Sequence, residues 1–69
     1  SWQQGLEQQA TALLQAGESD IWPGLIAECE RALIRAALAA TQQRRVEAAQ
    51  RLGIGRNTIS RKMQELDMG

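Results

Sequence analysis

The sequence predicts an all-α chain, on three observations. Apolar residues recur at spacings of three and four along most of its length, the period of a helix with one buried stripe. No run alternates apolar and polar residues as a half-buried strand requires. Gly17, Pro23, Gly53 and Gly55 fall at the edges of the periodic stretches, where such residues start and stop helices.

The first segment spans residues 2–16. Trp2, Leu6, Ala10 and Leu13 share one face, Leu14 lies at its margin, and glutamines fill much of the remainder. Gly17 ends the segment, because it tolerates the left-handed backbone that closes a helix. The stretch from Gly17 to Asp20 is a connection, and Ser19 or Asp20 is expected to cap the next helix.

The second segment runs from about Asp20 to Ala40. Pro23 belongs in its first turn, where a missing N–H leaves no intrahelical bond unmade. Leu25, Cys29, Ala32, Leu33, Ala36 and Ala40 form one stripe, while Ile34 and Leu38 fall on nearly the opposite side. A helix apolar on two sides has to be covered on both. A 69-residue chain has too little protein for that, so a partner subunit is inferred. Trp2 and Trp22 are expected in or beside the core so formed.

After the polar connection Thr41–Arg44, the stretch from Arg45 to Leu66 reads as a helix, a glycine turn and a second helix. Val46, Ala49 and Leu52 are expected on the inner face of the first of these. Ala48 and Ala49 are small where two short helices must cross closely. Gly53 reverses the chain, Ile54 plugs the core from the turn, and Gly55 opens the second helix without a bulky side chain. The free N–H groups at that helix start can face a phosphate.

The second helix carries two faces of opposite chemistry. Ile59, Met63 and Leu66 make the buried stripe, while Arg56, Asn57, Ser60, Arg61 and Gln64 gather on the adjoining arc. Arginine can pair bidentately with guanine and asparagine with adenine in the major groove of DNA. A short helix presenting both beside an apolar anchor suits that task. Arg56, Asn57 and Arg61 are therefore the candidate base contacts. Ser60 and Gln64 assist with bases or backbone, and Thr58 and Lys62 point to a third sector suited to phosphates. Arg44, Arg45 and Arg51 surround the motif and add salt-sensitive affinity.

Composition sharpens this reading. Net charge is zero, with eight basic and eight acidic residues. Residues 1–30 hold five acids (Glu7, Glu18, Asp20, Glu28, Glu30) and no base. Residues 31–69 hold all eight bases and three acids, so one end is suited to an anionic surface. With one cysteine and no histidine, neither an internal disulfide nor a His/Cys zinc site can be built within one chain. Cys29 reads as a small core residue suited to a reducing cytoplasm. No apolar run reaches the ~20 residues of a membrane span, and no signal peptide opens the chain. Without His or a clustered carboxylate pair, the sequence offers no acid, base or activated nucleophile for an enzyme, and no cofactor is expected. Tyr and Phe are absent, which removes the usual stacking platform for single strands. Gly53-Ile54-Gly55 fails as a nucleotide loop, since position 58 is Thr and no strand precedes it.

The run EAAQRLGIGRNTISRKMQEL, with ECERALIRAALAAT ahead of it, closely resembles the Fis-type C-terminal domain of NtrC-family activators. Those are bacterial enhancer-binding proteins, response regulators among them, that work with the alternative sigma factor sigma-N. The resemblance covers residues 20–69 well and 1–16 by helix placement only. It implies a homodimer in which the first two helices of each subunit form a four-helix bundle. Residues 1–41 are then dimerisation helices, with Trp2, Leu6, Leu13, Leu25, Cys29, Leu33 and Ala36 in the dimer core. Residues 42–69 are the helix-turn-helix, and the two parts make one domain.

The resemblance further implies two recognition helices in successive major grooves of a palindromic site. Family contacts map onto Arg56, Asn57 and Arg61, with Thr58, Ser60 and Lys62 supporting. RNA polymerase with sigma-N is a partner only through domains outside this chain, which is expected to be one piece of a larger cytoplasmic, nucleoid-associated activator. Nitrogen regulation is the implied role. The family usually has Gly where this chain has Gln43, so the turn before Arg44 is expected to differ slightly. Two alternatives remain at this point: a free-standing Fis-like protein that bends DNA with loose sequence preference, and a helical dimerisation module whose basic half is incidental.

Overall fold

The computed structural model describes all 69 residues. They form four helices, α1 (Trp2–Gln15), α2 (Ile21–Ala40), α3 (Arg45–Leu52) and α4 (Arg56–Glu65), and no strand. The expected all-α class and its helical segments agree with these bounds.

The local chemistry of each end is visible. Ser1 caps α1: its hydroxyl accepts the Gln4 N–H at 3.3 Å, and Gln4 Oε1 accepts from the Ser1 amino group at 3.1 Å. At the other end Gly17 turns left-handed, with φ +85°. Its N–H reaches the Leu14 carbonyl, and the Glu18 N–H reaches that of Leu13, at 3.1 and 3.0 Å. Two terminal carbonyls of α1 are thereby satisfied.

The start of α2 corrects an expectation. Asp20 does precede the helix, but with φ +54° and no side-chain bond to the first turn; Ser19 does not cap it either. A capping side chain needs an extended backbone to swing back over the first N–H groups, and a left-handed one directs it elsewhere. Pro23 lies in the first turn as expected.

The end of α2 holds a feature that the sequence did not disclose. Thr41 is buried, and its Oγ1 lies 2.9 Å from the Ala37 carbonyl oxygen and 3.2 Å from that of Arg44. Gln42 and Gln43 follow with φ +53° and +65°, and the Gln43 N–H donates to the Leu38 carbonyl at 2.8 Å. The glycine-like backbone is thus kept at Gln43 although glycine is not there.

The core lies between the second half of α2 and the two short helices. Ile34 and Leu38 of α2 meet Ala48 and Ala49 of α3, and Ile59, Met63 and Leu66 at the α4 end. Leu52 and Ile54 pack against this cluster from the turn. One of the two apolar sides of α2 is therefore covered by its own chain. Val46 corrects another expectation: it is 51 % exposed, and the inner face of α3 is Ala48 with Ala49. Val46 and Ala48 lie about 200° apart on the helix, and the close crossing takes the smaller residue.

The other side of α2 is covered only in part, by α1. Helix α1 has no buried residue, and it packs against α2 alone. Trp2, Trp22 and Leu33 are 73 %, 75 % and 59 % exposed, and Ala36 is exposed as well. Leu6, Leu13, Leu25 and Cys29 are half-buried. The radius of gyration is 14.1 Å, against about 11 Å for a compact chain of this length. The accessible surface is 5226 Å², against about 4,300 Å² for a monomeric protein of this mass. No helix is long and apolar enough to cross a membrane.

Candidate nucleic-acid interface

Helix α4 is held by its apolar stripe. Ile59 is wholly buried, and Met63 and Leu66 are nearly so. That anchorage leaves the adjoining arc outside: Arg56, Asn57, Ser60, Arg61 and Gln64 are all exposed. The structure brings these five together on one surface, as their spacing predicted. Thr58 and Lys62 are half-buried and lie off the arc.

The turn that presents α4 is built as the sequence suggested. Gly53 adopts φ +79°, and the Ile54 N–H donates to the Ala49 carbonyl at 2.9 Å. Gly55 then precedes α4 in an extended conformation that any residue can adopt. A Cβ there would meet only Thr58 Oγ1, at 3.7 Å. No side chain caps α4, so its first N–H groups and positive dipole end stay open at the surface. An anion can approach them directly.

The cations divide into held and free. Arg61 Nε lies 3.7 Å from Glu65 and Arg44 Nη1 3.7 Å from Glu47, both along one helix edge with partners well exposed. Such loose pairs contribute a few tenths of a kcal/mol at most and yield readily to a stronger anion. Arg45 donates to the Gly69 carbonyl at 2.8 Å, while Arg51 and Arg56 make no ion pair. Lys62 is different. Its ammonium is ion-paired with Glu30 of α2, and both side chains are about two-thirds buried. Next to Glu30, Arg31 donates from Nε to the Leu66 carbonyl at 3.2 Å and from Nη1 to Glu28 at 3.1 Å.

Thr41, Glu30 and Arg31 are the residues that sequence reasoning missed. A hydroxyl at a helix end, immediately before a left-handed turn, carries a weak local signal for Thr41. Glu30 and Lys62 are 32 residues apart, and no local pattern links them. No buried side-chain nitrogen or oxygen lacks a partner, and no cluster of His, Cys, Asp or Glu is arranged to hold a metal.

Residues 25–66 match the family model described as bacterial regulatory protein, Fis family. The chain is 43 % identical over 68 residues to the DNA-binding transcriptional regulator NtrC of Escherichia coli K12, an alignment covering 99 % of this chain and 14 % of that protein. The NtrC of Proteus hauseri is 42 % identical over 65 residues, covering 94 % and 14 % of the two chains. That of Azospirillum brasilense is 40 % identical over 48 residues, covering 70 % and 10 %. The chain thus spans about one-seventh of the length of the enterobacterial relatives. No solved structure matches it significantly.

Proposed function

The chain belongs to the Fis family of bacterial regulatory proteins, and on that premise we propose that it is the sequence-specific, double-stranded-DNA-binding domain of an NtrC-type transcriptional activator. One observation carries this reading. Arg56, Asn57, Ser60, Arg61 and Gln64 form an exposed arc on a helix whose other face is locked into the core by Ile59. Arg56 and Arg61 read guanines and Asn57 reads adenine, each good pair contributing roughly 1–3 kcal/mol of discrimination. Arg44, Arg45, Thr58, Ser60, Gln64 and the open α4 start at Gly55 hold the phosphates and fix the register.

The binding unit is a homodimer. The exposed apolar side of α1 and α2 supports it, with Trp2, Leu6, Leu13, Leu25, Cys29, Leu33 and Ala36 in the shared core. The excess of about 900 Å² over the monomer expectation is close to the ~800 Å² that one partner buries in a stable interface. Residues 1–41 then supply dimerisation and 42–69 the reading head, and two heads meet a palindromic site about one helical turn apart. Sigma-N-dependent activation and nitrogen control belong to the larger protein of which such a domain is a part.

The test is selection of bound fragments from a random duplex pool, run beside an Arg56/Asn57/Arg61 triple-alanine variant. An inverted repeat enriched by the native chain and lost in the variant is the expected result. Binding without enrichment would replace this reading with a DNA-bending protein of loose preference. Absence of binding at low salt would leave a dimerisation module.

A further inference from the structure

We infer that Glu30 is a positioning residue for DNA reading: its ion pair with Lys62 fixes the recognition helix α4 against the dimerisation helix α2. The inference rests on the DNA-binding reading above and deepens it, since neither residue lies on the arc assigned to the bases.

Apolar packing of Ile34 and Leu38 against Ile59, Met63 and Leu66 sets the distance between α2 and α4. The hydrophobic drive behind such contacts is non-directional, so it holds α4 down without fixing its roll as sharply as a directional bond does. A roll of 20° moves a side-chain tip about 6 Å from the axis by about 2 Å, several times the tolerance of a bidentate base contact. Directional ties narrow that roll, and the structure supplies two at successive positions of α2. Glu30 holds Lys62, and Arg31 holds the carbonyl of Leu66, one turn further on, where α4 ends. Both ends of the Glu30–Lys62 pair are about two-thirds buried, unlike the loose pairs along α3 and α4. The only lysine of the chain is thereby committed to α2 rather than to phosphate. Since α2 also carries the open apolar face, the pair connects the dimer axis to the reading surface.

The experiment compares the native chain with Glu30→Gln, Lys62→Gln and the exchange Glu30→Lys/Lys62→Glu. Affinity is measured for the selected operator and for an unrelated duplex of equal length across a salt series, with thermal unfolding of each variant. Both single variants are expected to lose about three- to thirtyfold in operator affinity, with the unrelated duplex and the salt slope unchanged. The exchange should restore operator affinity.

The inference is overturned if Lys62→Gln weakens both duplexes and lowers the salt slope by about one, which marks a phosphate contact. It is equally overturned if the singles bind as the native chain does, or if they only lower the unfolding temperature while discrimination persists. A native chain without duplex affinity would instead sink the DNA-binding reading itself.

Discussion

The hydroxyl of Thr41 lies 3.2 Å from the carbonyl oxygen of Arg44 and 2.9 Å from that of Ala37, so one buried side chain joins the end of α2 to the start of α3. The junction matters because α3 and α4 take their orientation from it. The Arg44 N–H returns to the Thr41 carbonyl at 3.1 Å, closing the turn from the backbone side. Thr41→Val keeps the shape and deletes the hydroxyl. The expected loss is about 1–2 kcal/mol, the cost of leaving a buried acceptor without its donor. Thermal unfolding measures it, and an unchanged midpoint would show that the hydroxyl contributes nothing.

The same turn contains two consecutive residues in the left-handed region, Gln42 and Gln43. A side chain there costs roughly 1–2 kcal/mol that glycine avoids. Glycine in turn adds about 0.4–1 kcal/mol of freedom to the unfolded chain. Gln43→Gly should therefore stabilise the protein by about 0.5–1 kcal/mol. A denaturant midpoint that moves down instead would show that the Gln43 side chain supports the turn in a way its backbone angles do not reveal.

These two cases mark where sequence reasoning stops. The helices were legible because a period of three and four residues is written directly into the chain, and the α4 arc follows from the same wheel. Gly53 was legible because its conformation is required by its place in the turn. Asp20 was misjudged because its residue type favours capping while its backbone forbids it. Val46 is misplaced because its spacing to Ala49 and Leu52 fits one face, whereas the packed face of α3 is centred on Ala48 and Ala49. Thr41 looked like part of a polar loop, and only the packed structure shows it buried. The Glu30–Lys62 pair depends on tertiary proximity alone.

The proposed dimer has a direct optical consequence. Trp2 and Trp22 are about three-quarters exposed in the single chain. If a second copy covers this face, their emission shifts to shorter wavelength with rising concentration. Leu33→Glu places a charge in that exposed apolar face and should yield a monomer by sedimentation at tens of micromolar. The core around Ile59 does not include Leu33, so helical content near α3 and α4 should survive. A monomeric native chain at that concentration would sink the dimer.

Arginines on and off the recognition arc should separate cleanly in DNA binding. Arg56 and Arg61 lie on the arc; Arg51, on α3, does not. Arg56→Ala is expected to cost about 1–3 kcal/mol on the selected operator and to relax preference at one base position. Arg61→Ala should behave likewise, with its loose Glu65 pair too weak to mask the loss. Arg51→Ala removes a charge that lies off the arc. It should weaken operator and unrelated duplex about equally and lower the salt slope by about one if that side chain meets a phosphate. Titrations against the operator and single-position variants across a salt series decide between the two behaviours. Equal, position-independent losses for all three arginines would mean that α4 contributes charge to the complex and reads no bases.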